Sequence, residues 1–537
     1  MKKNTILSAQ VFSCLMLVSF ISFAQPQGWH LKDYQEDSYY GISLNKAYTF
    51  LKQAGRSPKK VVVAVIDSGI DTAHVDLKNN LWRNPKEWWG NGKDDDKNGY
   101  VDDVFGWNFI GASEKDKNVE KDSYESERVY WKFKDRYEGV PLAKIKKRDR
   151  YQYQSWLRAE LDMHMKSLGL QKSIEGAQTG LNDALYADSI LMGNLNKAAY
   201  TFQDVKEYNT QDPKVLNFMA SLKRRSTDTL NKAIKNTDEI AFRKNNLVSK
   251  KELKINPPTD YRSIVGDNYA NIKDRYYGNN NITVSNGSAF HGTHVAGIIA
   301  AERSNELGMD GIVDAEIMSL RVVPNGDEHD KDIALAIRYA ADNGAKVINM
   351  SFGKGYSPEK KWVDDAVKYA QKKGVLLVHA AGNDMKNVDT TFTYPTHTFL
   401  NGKPAENWIT VGASGDPKIG GLVASFSNYG KEGVDVFAPG VQIYSTIPGA
   451  NKYGLASGTS MAAPVVAGVA ALLFTYFPEL NYRQVKYIIE ASAVKPPLEV
   501  ITPKTRVKVK LSDISKTGGI VNAYEAVKLA DQLTSRK

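Results

Sequence analysis

A single cysteine, Cys14, stands in 537 residues, so the chain has no means of closing an intramolecular disulfide. A basic tail is missing as well. The formal net charge is +10, and the 71 lysines and arginines are spread along the chain, an arrangement that argues against a nucleic-acid partner. There is no solenoid-type repeat and no low-complexity tract. After an apolar stretch from Ile6 to Phe23 no second run approaches membrane-spanning length. What is abundant is core material: 42% hydrophobic residues with 10% aromatics exclude disorder over most of the chain and are enough to bury a large interior.

The start has the three parts of a secretory signal: charged Met1-Lys2-Lys3-Asn4, the apolar stretch, and small Ser22 and Ala24 before Gln25-Pro26. Cleavage is expected after Ala24. Phe12, just before Ser13-Cys14, suits a lipoprotein site poorly. The mature chain is then exported to periplasm or medium, uninserted in membrane and without cysteine, and draws its stability from packing and metal rather than from disulfides.

Beyond the signal the texture changes twice. Ser43 to Leu51 reads as a short helix, and Val61 to Ile66 as a continuous apolar, valine-rich run suited to a parallel strand covered on both faces. From residue 291 to the C-terminus strands and helices alternate, with strands expected at Glu316–Val323, Val347–Ser351, Val375–Ala380 and Trp408–Ala413. Helices are expected at Asp332–Asn343 and Glu359–Lys373, followed by Gly344 and Gly374. Between 119 and 275 the rhythm breaks. That stretch is rich in Lys, Arg, Glu, Gln and Tyr, carries helical spacing at Leu157, Leu161, Met165 and Leu168, and offers a second helix start at Asp212-Pro213, continuing through Val215, Met219, Leu222 and Leu230. The expected organisation is a signal at 1–24, a first catalytic part at 25–118, a helical insertion at 119–275 and a second catalytic part at 276–537.

Three short segments carry groups suited to nucleophilic chemistry. Asp67 ends the first buried strand, the edge at which parallel sheets place their sites. His291-Gly292-Thr293-His294 opens a run of small and apolar residues that packs as a buried helix, with His291 at the entrance and His294 one turn further in; no His-Glu-x-x-His metal pattern is present. Gly458-Thr459-Ser460 leads into another such helix, where unpaired N–H groups and the positive end of the dipole favour an oxyanion beside the serine. Alone, Asp67 is equally a turn residue and Ser460 equally a helix cap.

In the order Asp67, His291, Ser460, with Asn349-Met350-Ser351-Phe352-Gly353 and Ala380-Ala381-Gly382-Asn383 between them, the chain resembles the subtilases, the subtilisin-like serine peptidases. The likeness covers about residues 40–115 and 276 to the end. It implies a three-layer α/β fold with a central, mostly parallel sheet, and an exported serine endopeptidase of broad specificity acting on polypeptides through an acyl-enzyme. Ser460 is then the nucleophile, His291 the base, Asp67 its orienting carboxylate and Asn383 an oxyanion donor. Ser351, Phe352 and Gly353 present a strand edge to the substrate backbone and, with Ala380, Ala381 and Gly382, wall a pocket roomy enough for a large apolar side chain.

Asp94, Asp96 and Asn98 alternate before Gly99, and Tyr100 follows with a carbonyl, the first half of an EF-hand-type loop; Phe105 stands at the twelfth position, so Asp102 or Asp103 has to complete a Ca²⁺ shell. Asp76 matches a separate calcium ligand of the family, near Asn305. The calcium is expected to be structural, with no cofactor needed for catalysis.

Two departures stand out. Asp67 and His291 are 224 positions apart, so the insertion has to leave and rejoin the sheet at neighbouring points, where it caps the cleft, recruits a protein partner or decorates the surface. Only about 36 residues precede Val61 after the signal, too few for the usual folding propeptide. Two alternatives remain: a peptide- or partner-binding protein whose cleft the insertion covers, and a serine esterase, opposed by the residue order and the absence of a Gly-x-Ser-x-Gly elbow.

Overall fold

A computed structural model describes residues 25–114, 117–228, 233–283 and 288–535; the signal, Cys14 and Leu230 lie outside them. After short helical turns at Trp29–Leu31 and Tyr34–Asp37, helix α1 (Leu44–Gln53) precedes strand β1 (Val62–Asp67), whose residues 63–66 are all buried. A short strand, β2 (Gly106–Asn108), follows. Then come helices α2 (Glu125–Tyr137), α3 (Arg150–Leu195), α4 (Pro213–Asp228) and α5 (Asn236–Glu252), and the chain returns with α6 (Phe290–Ala300). From there strands and helices alternate: β3 (Glu316–Arg321), α7 (Asp330–Asp342), β4 (Ala345–Met350), α8 (Lys360–Lys372), β5 (Leu376–Ala380), β6 (Trp408–Ser414) and β7 (Val436–Pro439). Helices α9 (Thr459–Tyr476), α10 (Tyr482–Ala491) and α11 (Ala523–Thr534) close the fold.

These strands form one seven-stranded parallel sheet in the order β2-β3-β1-β4-β5-β6-β7. The order turns at β1, which lies between β3 and β4. That switch point is where parallel sheets open a crevice beyond their strand ends, and Asp67 is the last residue of β1. One face is packed by α6 and α9 with α1 and α11, through residues such as Val295, Ile298, Val465 and Leu472. The other is packed by α7 and α8 through Ile333, Ile337, Val363 and Val367. The result is the three-layer α/β architecture expected above. The expected strands and helices are all found, with ends that coincide or shift by at most two residues.

Helices α2–α5 form a separate layer of their own. Asn108 Nδ2 donates to Asn118 Oδ1 at 2.7 Å and to Asn279 Oδ1 at 3.2 Å, so this stretch leaves and rejoins the sheet at neighbouring points beside β2. Its distal half has its own core, with Leu191, Tyr200, Val215, Phe218 and Leu222 buried together. Its proximal half packs Val129, Tyr137, Tyr153 and Trp156 around Tyr356, which follows β4. α4 starts at Pro213, and Asp212 Oδ1 takes the N–H of Lys214 at 2.8 Å. α3 runs 46 residues with Gly169, Gly176, Gly180 and Gly193 inside it. Its stripe of Leu157, Leu161, Met165 and Leu168 faces outward; the buried face is Tyr153, Trp156, Ala159 and Met163.

Candidate active site

β1 delivers Asp67 to the crevice, and α6 begins there with His291 in its first turn. Gly292 makes this approach possible: a Cβ at that position would meet the Gly69 carbonyl oxygen at 2.2 Å and the Asp67 Cβ at 3.2 Å. Asp67 Oδ1 lies 2.8 Å from His291 Nδ1 and also takes the Ser68 N–H at 2.7 Å. Burial disfavours a proton on His291, but the charge of Asp67 and its hydrogen bond outweigh this and hold the imidazole above the ordinary histidine value of 6.5. With Nδ1 on the carboxylate, Nε2 is left for the cleft, where the side chain is 37% exposed. His294 is spent differently: it is buried, its Nε2 faces the carbonyls of Ile443 at 3.0 Å and Gly454 at 3.2 Å, and burial lowers its pKa to about 4.

α9 brings Ser460 to the same crevice in its first turn, where N–H groups have no partner within the helix. Pro464 lies four residues on and has no N–H, so the Ser460 carbonyl loses its helical partner; the Ser351 hydroxyl donates to it instead at 2.9 Å. In return the Ser460 hydroxyl donates to the Ser351 carbonyl at 3.0 Å, so it rests there rather than on His291. Asn383 Oδ1 takes both the N–H and the hydroxyl of Thr459, at 2.9 and 3.0 Å, while the Thr459 hydroxyl oxygen accepts from Gly382 N–H at 3.0 Å. With its oxygen fixed, the Asn383 side chain leaves its NH₂ for another partner. Thr459 is a residue to which sequence reasoning gave no role; its only signal was its place beside the serine.

A groove of ≈ 410 Å³ brings together all six expected pocket residues, Ser351, Phe352, Gly353, Ala380, Ala381 and Gly382, with Asn383, Thr459 and Ser460. His379, buried beneath it with its pKa lowered to about 4 by burial, donates from Nε2 to the Phe352 carbonyl at 2.9 Å and so braces the wall. The groove also includes Tyr124 and Ser126. A neighbouring cavity of ≈ 970 Å³ runs from Asp67 and His291 to Lys121, Tyr261 and Ile264. The helical layer therefore flanks the site on two sides.

The acidic loop gathers less simply than its spacing implies. Oxygens of Glu87, Asp94 and Asp96 lie within 4.8 Å of one another. Glu87 comes from seven residues upstream of Asp94 and was not foreseen. Its Oε1 takes the N–H groups of Asp95 and Asp96, while Oε2 is buried without a hydrogen-bond partner, and burial pushes the carboxyl up. Asn98 caps the turn, with Oδ1 on the N–H of Tyr100 at 2.8 Å. Asp102 is occupied by the N–H groups of Gly90, Asn91 and Gly92. Asp103 is held by Asn84, Asn98 and Tyr339, and burial raises it to about 6. At a separate place, Asp76 meets Asn305 at 2.7 Å and Tyr453 at 3.2 Å, a buried carboxylate facing only neutral donors, and burial raises its pKa.

A serine at a helix start, an imidazole on a buried carboxylate and an asparagine beside the serine define a class, and comparison with known proteins agrees. The profile of the Subtilase family, Peptidase S8, matches residues 58–523. The chain is 45% identical over 244 residues to the thermophilic serine proteinase of Bacillus sp. (strain AK1), covering 44% of this chain and 52% of that protein. It is 39% identical over 257 residues to thermitase of Thermoactinomyces vulgaris, covering 46% and 78%. A solved protease from Pseudoalteromonas arctica PAMC 21717 is similar at 31% identity, covering 45% of this chain and 70% of that one, with a TM-score of 0.36. The chain spans about half the length of the first of these relatives. It belongs to the subtilase family of subtilisin-like serine peptidases.

Proposed function

We propose that this chain is an exported serine endopeptidase that hydrolyses peptide bonds of unfolded polypeptides through an acyl-enzyme on Ser460. The observation that carries this reading is the Asp67–His291 contact of 2.8 Å opening onto the crevice that holds Ser460 and Asn383. The Ser460 hydroxyl turns from the Ser351 carbonyl to His291 Nε2, gives up its proton there and attacks the scissile carbonyl carbon. Negative charge develops on the carbonyl oxygen, facing the Asn383 NH₂ and the Ser460 N–H, and Asp67 stabilises the imidazolium formed. His291 then returns the proton to the leaving amine, and water repeats the sequence to release the acyl group. Freed of the serine, the Ser351 carbonyl is available to the N–H of the residue before the cut bond. Small walls at Gly353, Ala380 and Gly382 leave that residue's side chain room.

Structural Ca²⁺ is part of the reading. The Glu87, Asp94 and Asp96 set offers hard oxygen ligands, with one Glu87 oxygen buried and unpartnered, and Asp76 is a second anionic position. Asp102 and Asp103 support the loop through the hydrogen bonds described. Export follows from residues 1–24, and the catalytic parts at 25–118 and 276–537 are interrupted by the 119–275 insertion. The test is cleavage of casein by purified chain, with Ca²⁺ or with chelator, beside Ser460→Ala: Ca²⁺-supported cleavage lost in the variant supports the reading, and a folded, Ca²⁺-loaded wild type that cuts nothing overturns it.

A further inference from the structure

The groove beside Ser460 is walled by two stretches of chain: residues 351–356 after β4, and the chain after β5, from residues 380–384 on to Phe392 and Thr393. The first stretch is tied to the helical layer at several points. The buried Lys354 ammonium meets Glu125 Oε2 of α2 at 2.8 Å, together with the Glu328 carbonyl at 2.7 Å and Asp330 Oδ1 at 2.9 Å. From α3, Arg158 Nη1 donates to the Gly355 carbonyl at 3.1 Å, Asp162 Oδ2 accepts from the Tyr356 hydroxyl at 2.5 Å, and the Tyr151 hydroxyl donates to the Ser357 carbonyl at 2.9 Å.

Arg158 reaches the second stretch as well. Its guanidinium carbon lies 4.0 Å from the centre of the Phe392 ring and 4.6 Å from that of Tyr356, so a single cation is packed on one aromatic ring from each stretch. Phe392 is also a partition. With Thr393, His379 and Ala381 it lines both the ≈ 410 Å³ groove and a second cavity of ≈ 420 Å³, which Tyr151 of α3 and Tyr394 line beyond it. At 57% exposure the Phe392 ring lacks the close packing that fixes a core aromatic, and the guanidinium supplies a partner instead.

We propose that Arg158 is a positioning residue for substrate selection: by holding Phe392 and Tyr356 to one point it keeps the groove shut off from the second cavity, and so limits the size of the side chain before the cut bond. Arg158 does not itself line the groove and acts through the two rings. The helical layer is then a specificity element, and a side chain too long for the groove has to displace the Phe392 ring. This rests on the endopeptidase reading above.

The test is kcat/KM for two peptide anilides that differ only in the residue before the cut, leucine or naphthylalanine, in the wild type, Phe392→Ala, Arg158→Ala and Arg158→Lys. The ratio of naphthylalanine to leucine is expected to rise about tenfold in Phe392→Ala and at least about threefold in Arg158→Ala, and to stay within about twofold of the wild type in Arg158→Lys, which keeps a cation for the rings. A rise of less than about threefold in either alanine variant overturns the proposal and leaves the peptidase reading intact; a loss shared equally by both substrates, the mark of a merely structural role, falls under this outcome. An Arg158→Lys that shifts the ratio as far as Arg158→Ala overturns it too. Should Arg158→Ala melt too early to assay, Arg158→Gln, which keeps a donor for the Gly355 carbonyl but no charge for the rings, takes its place at the same threshold. A wild type whose Ser460 is labelled by a fluorophosphonate but which is slow on anilides is scored by its labelling rates with peptidyl phosphonates bearing the same two side chains. No cleavage and no labelling of Ser460 overturns both readings.

Discussion

At the residue scale, Thr459 and Asn383 act as a pair. Asn383→Ala removes the proposed oxyanion donor and is expected to lower kcat about 10²–10³-fold with KM little changed, the range found for the corresponding donor in subtilisin. Thr459→Val keeps the shape and removes the hydroxyl contacts to Asn383 Oδ1 and to the Gly382 N–H, so kcat is expected to fall by up to about tenfold with a stability loss of about 1–2 kcal/mol. Steady-state kinetics with one anilide separates the two. His291 gives a pH prediction with a definite sign. Only the neutral imidazole accepts the serine proton, and Asp67 raises its pKa above 6.5; activity is therefore lost as pH falls through a midpoint above 6.5. In Asp67→Asn the residual activity should titrate with a lower midpoint. A kcat/KM profile for both proteins checks this, and an unchanged midpoint would mean that the 2.8 Å contact does not set the protonation of the histidine.

Among the elements, the helices at the site are shaped by what they leave unpaired. Pro464 frees one carbonyl of α9, and that carbonyl holds Ser351. α2 and α3 are fixed to the catalytic part through Trp156, fully buried near Tyr137 and Tyr356. Trp156→Ala is expected to cost about 3–5 kcal/mol in the packing of α2 and α3, seen as faster hydrogen exchange there while β1 and β4 stay protected. The strands were legible in the sequence because a doubly covered parallel strand is apolar at every position, as in residues 63–66, and the proposed triad residues could be singled out because each sits in a short local motif at a strand or helix end. Glu87 was not, since a turn rather than a spacing brings it to Asp94. Nor was the buried face of α3: the stripe of Leu157, Leu161, Met165 and Leu168 has the right period, but the aromatic Tyr153 and Trp156 turn the neighbouring face inward. The buried ammonium of Lys354 was invisible because its partners come from positions 125, 328 and 330, and only the folded chain joins them.

For the whole molecule, stability has to come without disulfides. Among the described residues there is no cysteine, so reductant should leave the melting temperature unchanged. Chelator should lower it, by about 5 °C or more in calorimetry, and Asp94→Ala with Asp96→Ala should remove most of that difference, because an ion bound only by the folded state stabilises by mass action. A chelator-insensitive wild type would count against calcium at both positions. On the proposed activity the chain lives among copies of itself that can cut it, and its 46-residue helix α3 is where that matters. A groove that accepts extended chain cannot use a helix until it opens, so the rate of self-nicking follows local unfolding. The stretch containing Gly169, Gly176 and Gly180 combines three poor helix formers with a largely exposed surface, while the sheet and α9 are buried at nearly every position. Autolysis should therefore begin in the middle of α3 and spare the triad, so the enzyme's own fragments would report the weakest part of its fold.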